Sequence, residues 1–224
     1  MPAQTPHDPA ERPTEGFRSI VLPGTPGRPA RVYLPTDYQP KYAYPLVVLF
    51  HADGACEEQA ARLVPLLSRR NYVALCLRGP VRLGLRADGR PAFGWAAAAD
   101  RGAKAALAHA ATRFHIHPDR VFLVGVGEGA AAAYRCGLAL RACVTGVVAL
   151  NGALPPGRVP ANTLRVLIGH GTATPLAHPA RLTAAGATVR VNRYLSSQRV
   201  HADMLRDANR WIMAQIADKA AAGE

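Results

Sequence analysis

Apolar residues cluster along this chain in short runs: Leu46 to Phe50, Tyr72 to Leu77, Val121 to Val124, Val144 to Leu150, Leu164 to Ile168 and Val189 to Leu195. Runs of that length without a polar face are what strands covered on both sides require. Between them lie longer stretches with helical spacing, about 57 to 70, 96 to 114, 128 to 141, 176 to 185 and 202 to 217. In the last, Met204, Leu205, Ala208, Trp211, Ile212 and Ile216 share one face, which predicts a terminal helix packed on the sheet. The alternation predicts βαβ units, and so an α/β fold with a mostly parallel twisted sheet and helices on both faces. Two shorter pieces, Phe17 to Leu22 and Arg31 to Leu34, flank Pro23 and Gly24 and predict an antiparallel edge. Residues 1–16 are Pro-rich and polar without periodicity, which predicts a flexible tail before a single domain spanning 17–220. The stretch from Gly79 to Gly94, rich in Arg and Gly, reads as a long loop of the kind that lines sites.

Composition narrows the function classes. A length of 224 residues suits one domain, and 49% hydrophobic against 19% charged residues supports a packed core. The 27 Lys and Arg against 15 Asp and Glu leave +12, which invites phosphate-bearing partners. Only Lys41, Lys104 and Lys219 are lysines, however, and the arginines are scattered apart from Arg78, Arg82, Arg86 and Arg90. There is no long basic run and no aromatic interleaving, so nucleic-acid binding stands as a third reading, carried by charge alone. No apolar run is long enough to span a bilayer, and the first residues lack an apolar stretch behind their charges, so the expectation is a cytoplasmic protein. Cys56, Cys76, Cys136 and Cys143 fall at no metal-ligand spacing and read as reduced thiols. His115, His117 and Asp119 superficially resemble a metal cluster, but His-Pro-Asp-Arg between a helix and a strand reads better as a connecting turn. No metal and no cofactor is expected.

The most informative segment is Arg120 to Tyr134, a buried strand turning through Gly125, Gly127 and Gly129 into an Ala-rich helix. A dinucleotide fingerprint, G-x-G-x-x-A, is satisfied by Gly125, Gly127 and Ala130. It needs an acidic residue at the end of the next strand, which instead closes with Asn151 and Gly152. The other reading is the G-x-S-x-G elbow that lifts a nucleophile above a sheet, with Gly127 standing where the serine would be. A plain tight turn is the third.

Four segments in order and at matching spacing carry a resemblance. Leu46 to Gly54 ends in His51-Ala52-Asp53-Gly54, Gly125 to Gly129 forms the elbow, Ile168 to Pro175 contains His170 and Thr174, and Tyr194 to His201 contains Gln198. Together they resemble the α/β-hydrolases of the phospholipase/carboxylesterase and dienelactone-hydrolase-like esterase group, over about 31 to 213. The resemblance implies an α/β-hydrolase-type three-layer sandwich, an oxyanion turn at His51 to Gly54, and a serine-acid-histidine triad at positions 127, 174 and 198. Here those positions are Gly127, Thr174 and Gln198, none of which can supply nucleophile, acid or base. The four serines, Ser19, Ser68, Ser196 and Ser197, include none at a strand-to-helix turn, and no Asp or Glu occurs between Glu128 and Asp203.

The expectation is therefore a hydrolase-fold protein that has lost conventional acyl transfer. It retains a pocket lined by His51, Ala52, Asp53, Glu128, His170 and His201, for a small ester-like or acyl ligand or a protein partner. The alternative is a working ester hydrolase using an unconventional site around His51, His170 or His201. His51 and His170 read equally well as hydrogen-bonded structural residues, Glu128 as a helix-end charge, and Trp95 as packing or as a pocket cover.

Overall fold

The described residues of the computed structural model are 15–22, 28–95, 99–172, 179–195 and 199–221. The first 14 residues of the expected tail lie outside them, and β1 (Gly16–Val21) begins inside its expected end. β1 pairs antiparallel with β2 (Pro29–Leu34), which pairs antiparallel with the next strand of the sheet. The six apolar runs become β3 (Tyr44–Phe50), β4 (Val73–Leu77), β7 (Ile116–Val126), β8 (Gly146–Leu150), β9 (Arg165–Gly171) and β10 (Thr188–Tyr194), parallel throughout. The sheet order is β1-β2-β4-β3-β7-β8-β9-β10.

Helices α1 (Glu57–Ala61), α2 (Val64–Leu67) and α6 (Ala202–Ala221) cover one face; α3 (Ala99–Arg113), α4 (Glu128–Ala139) and α5 (Pro179–Ala184) cover the other. Alternate residues of each inner strand feed the two cores. Val47, Leu49, Phe122, Val124 and Leu167 meet Met204, Leu205 and Trp211 of α6, whereas Val48, Leu123, Val147 and Ile168 meet the alanines of α3 and α4. The short side chains of α4 bring it close to the sheet: a Cβ on Gly137 would lie 2.5 Å from Val147 Cγ2. The α/β class, the antiparallel edge and the terminal helix are thus as the pattern predicts.

Three local expectations change. The helix expected over 57–70 is two short helices, because Pro65 at the start of α2 has no N–H to continue the ladder and would clash with the preceding turn. The expected loop from Gly79 to Gly94 holds a hairpin, β5 (Val81–Leu85) and β6 (Pro91–Gly94). Every residue of β5 is exposed, so it lacks the continuous apolar signal of a buried strand. The expected turn at His117 to Arg120 lies within a strand: β7 starts at Ile116, opposite Tyr44, with a register shift before Leu46 that accommodates Pro118.

The connection after β3 runs to β4 on one side, and the connection after its neighbour β7 runs to β8 on the other. In a parallel sheet this reversal opens a crevice at the carboxyl ends of the two strands where their connections diverge. Position 51 follows β3 and position 127 follows β7, so the segments singled out by sequence meet there.

Candidate functional site

Gly127 is the N-cap of α4 and adopts φ 55°, ψ −125°, a conformation that strains any residue with a Cβ. Its N–H donates to Leu150 O at 2.9 Å, and its carbonyl accepts from Ala130 N–H at 3.0 Å, so both neighbouring elements hold the turn. The surrounding glycines are there for close approach. A Cβ on Gly125 would sit 2.4 Å from Ala130 Cα, one on Gly129 2.3 Å from His51 O, and one on Gly152 2.1 Å from Gly127 O. At Gly127 the nearest atom to an added Cβ is Ala52 Cβ at 3.2 Å. A side chain at the apex would be directed at the turn after β3 in a tight contact that Ala52 must yield to by a few tenths of an ångström, and the apex carries none.

That turn is tied down by backbone contacts. His51 is 2% exposed; its Nε2 accepts from Gly79 N–H at 2.9 Å, which leaves Nδ1 to donate to Ala52 O at 2.7 Å. Burial lowers its pKa, consistent with a neutral ring whose two nitrogens are both engaged. Trp95 roofs the turn: its Nε1–H donates to His51 O at 2.7 Å and its ring lies 4.9 Å from that of His51 and 5.0 Å from Phe50. The hairpin is pinned to the same turn, with Gly54 N–H donating to Phe93 O at 2.9 Å and Phe93 N–H to Ala55 O at 3.0 Å.

Two carboxylates meet here. Asp53 N–H donates to Glu128 Oε2 at 3.1 Å, and Asp53 Oδ1 accepts from Trp95 N–H at 3.2 Å. Burial, and then the nearby Glu128 charge, raise the Asp53 pKa. The structure thus brings Ala52, Asp53, Gly127 and Glu128 together.

His170, 6% exposed, lies in β9; its Nδ1 lies 3.2 Å from Gly171 O, and its buried Nε2 has no hydrogen-bond partner among the described residues. His201 packs its ring on Tyr194, 5.4 Å between centroids, with Nδ1 3.7 Å from Asp203 Oδ2. Burial, and then the hydrogen bond to the Asp207 carboxylate, push the Tyr194 hydroxyl up to about 12 against the opposing hydrogen bond from Asn192. Thr174 and Gln198 lie outside the described residues. His117 and Asp119 lie near the opposite, amino end of β7, where Asp119 N–H donates to His117 Nδ1 at 3.2 Å. Among the described residues, no three His, Cys, Asp or Glu side chains form a metal-binding group, and no helix is long and apolar enough to cross a membrane.

Two supports were not singled out from sequence. Glu57, 2% exposed, receives two hydrogen bonds from Arg78, Nε to Oε2 at 2.6 Å and Nη2 to Oε1, while the guanidinium lies 4.6 Å from the Phe93 ring centre. That pair joins α1, the end of β4 and the hairpin. Asn151, at φ 52°, accepts from Gly171 N–H at 2.8 Å and so ties the ends of β8 and β9. The sequence signals were an arginine directly after a buried strand, and an Asn-Gly pair at a strand end.

No family model matches the chain and no curated protein matches its sequence. Solved structures do match. MGS-M1, an α/β-hydrolase enzyme from a Medee basin deep-sea metagenome library, superposes with a TM-score of 0.69 at 17% identity, over 91% of this chain and 99% of that one. The carboxylesterase from Mesorhizobium loti gives 0.65 at 21% identity, over 87% and 98%, and the Bacillus cereus carboxylesterase 0.63 at 18%, over 85% and 95%. At these identities the likeness is one of architecture: the chain has the α/β-hydrolase fold, with carboxylesterases among its structural neighbours.

Proposed function

We propose that this protein is a carboxylesterase-like α/β-hydrolase without the serine triad, which binds a small ester-like or acyl ligand and does not turn it over. The observation that carries the reading is Gly127: the turn keeps the strained backbone and close-packed glycines of a nucleophile elbow while its apex has no side chain. Attack on a carbonyl needs a nucleophilic atom, and a glycine has none to offer. Thr174 and Gln198, at the acid and base positions of the sequence resemblance, extend the same loss to the other two roles. His51 is poorly placed to substitute as a base, because both ring nitrogens are held by backbone groups.

The test is hydrolysis of short-chain p-nitrophenyl esters by the wild type beside the triple variant Gly127→Ser, Thr174→Asp, Gln198→His. The expected result is background activity in the wild type and saturable turnover in the variant. Saturable hydrolysis by the wild type, abolished by His170→Ala or His201→Ala, would replace this reading with an active enzyme built on an unconventional site.

A further inference from the structure

The end of the sheet opposite Gly127 holds a cleft of about 340 Å³, framed by Tyr42 and Tyr44 leading into β3, Arg70 and Asn71 before β4, Arg120 in β7 and Met213 in α6. None of the side chains lining it is acidic. Its aromatic wall is fixed in place. Tyr44 stacks on Tyr38 with 5.2 Å between ring centres, its hydroxyl accepts from Gln39 N–H at 3.0 Å, and Tyr42 sets its ring edge-on to it at 4.7 Å. Asn71 is held by Asn209 of α6, Nδ2 to Oδ1 at 3.0 Å, which ties helix and strand together beside the cleft. At the mouth Tyr42, 51% exposed, and Met213, 37% exposed, leave apolar surface open. Two guanidiniums face that surface without a strong acceptor. Arg120 is half-buried and has no hydrogen-bond or ion-pair partner among the described residues. Arg70 reaches only Asp37, 3.9 Å away with both side chains about three-quarters exposed, a pair of little strength.

We infer that this cleft binds a small aryl oxyanion, an aromatic group bearing a carboxylate or a phosphate: the ring lies against Tyr42 and Met213, and the oxyanion takes the donors of Arg120 and Arg70. Guanidinium forks match the oxygens of either anion, and an aromatic ring gains both burial and ring contact against a tyrosine wall. With no carboxylate in the lining, nothing inside the cleft competes for the two cations. The site lies at the other end of the parallel strands from Gly127 and is independent of what binds there.

The experiment titrates the full chain with phenyl phosphate, benzoate, benzyl alcohol and inorganic phosphate at fixed ionic strength, with backbone amide NMR shifts as the readout. Phenyl phosphate or benzoate should saturate shifts at Asn71, Arg120 and Met213 with a Kd of about 1 mM or tighter, while the Gly127 amide stays unmoved. Whichever of the two binds more tightly identifies the oxyanion. Benzyl alcohol and inorganic phosphate, each carrying one half of the ligand, should bind about tenfold more weakly or worse. Arg120→Met keeps the apolar stem and removes the charge, and should weaken the better anion about tenfold. Met213→Glu sets a like charge at the exposed mouth and should weaken it as well; unshifted amides elsewhere report that each variant is folded. Saturation by neither aryl anion, equal affinity for inorganic phosphate, or shifts centred on Gly127 overturns the inference. So does affinity unmoved in Arg120→Met, or in Met213→Glu should Arg120→Met fail to fold.

Discussion

At the scale of single residues, the crevice is governed by which positions can carry a Cβ. Gly125, Gly129 and Gly152 cannot, because backbone or Ala130 atoms occupy the space, whereas Gly127 is limited by its backbone angles more than by its neighbours. Gly127→Ala should therefore fold, losing about 1 to 3 kcal/mol to strain at positive φ. Gly125→Ala, with its Cβ 2.4 Å from Ala130 Cα, should lose more and shift the start of α4. Urea unfolding of the two variants checks the order; equal losses would mean that the turn relaxes freely and is not a rigid elbow. The glycines of this turn are plain in the sequence, but which of them is a steric necessity and which a vacated position is not. For Gly127 and Gly129 that distinction depends on Phe50, His51 and Ala52, more than 70 positions away in the chain. His51 shows the same limit. Sequence left it between pocket lining and structural residue, and the Gly79 amide, brought in from the end of β4, engages the ring nitrogen that a ligand would use.

At the scale of elements, the site is assembled by pieces that would not hold their positions alone. Helix α1 has five residues, too few for a stable isolated helix, and is capped through Cys56 and Gln59 and clamped by the Glu57 to Arg78 pair. The hairpin of β5 and β6 has no sheet to join beyond its bridge to Ala55 and the stacking of Arg78 on Phe93. Removing one member of a buried pair strands the other charge, whereas removing both restores an apolar contact. Arg78→Met should thus destabilise the protein by about 3 kcal/mol, and Glu57→Leu combined with Arg78→Met by clearly less. Thermal and urea unfolding of single and double variants tests this, and a double variant as unstable as the sum of the singles would show that the pair is not the clamp. An exposed strand shows no apolar run, so the hairpin has the sequence pattern of a loop, and helical spacing that continues through Pro65 masks the helix break there.

At the scale of the whole molecule, the parallel strands, the terminal helix and the antiparallel edge were legible because burial on both faces leaves its mark directly in the order of apolar residues. Net charge is likewise a property of composition, and +12 on a chain of 224 residues repels itself. The melting temperature should accordingly rise between about 10 mM and 150 mM NaCl as the charges are screened, and any association with duplex DNA at low salt should vanish over that range. A melting temperature indifferent to salt, or DNA binding that survives physiological ionic strength, would show that the arginines are organised for a purpose rather than dispersed. Sequence by itself determined the α/β class, the order of the parallel strands, the terminal helix, and the absence of a hydroxyl or thiol at the apex of the β7 turn, since each is written in local pattern or residue identity. Only the tertiary structure decided that Glu128 meets Asp53, that His51 is bound by Gly79, and that Arg78 belongs to Glu57. These contacts join residues 21 to 75 positions apart, and no periodicity along a chain specifies which distant polar groups the sheet will bring within hydrogen-bond reach.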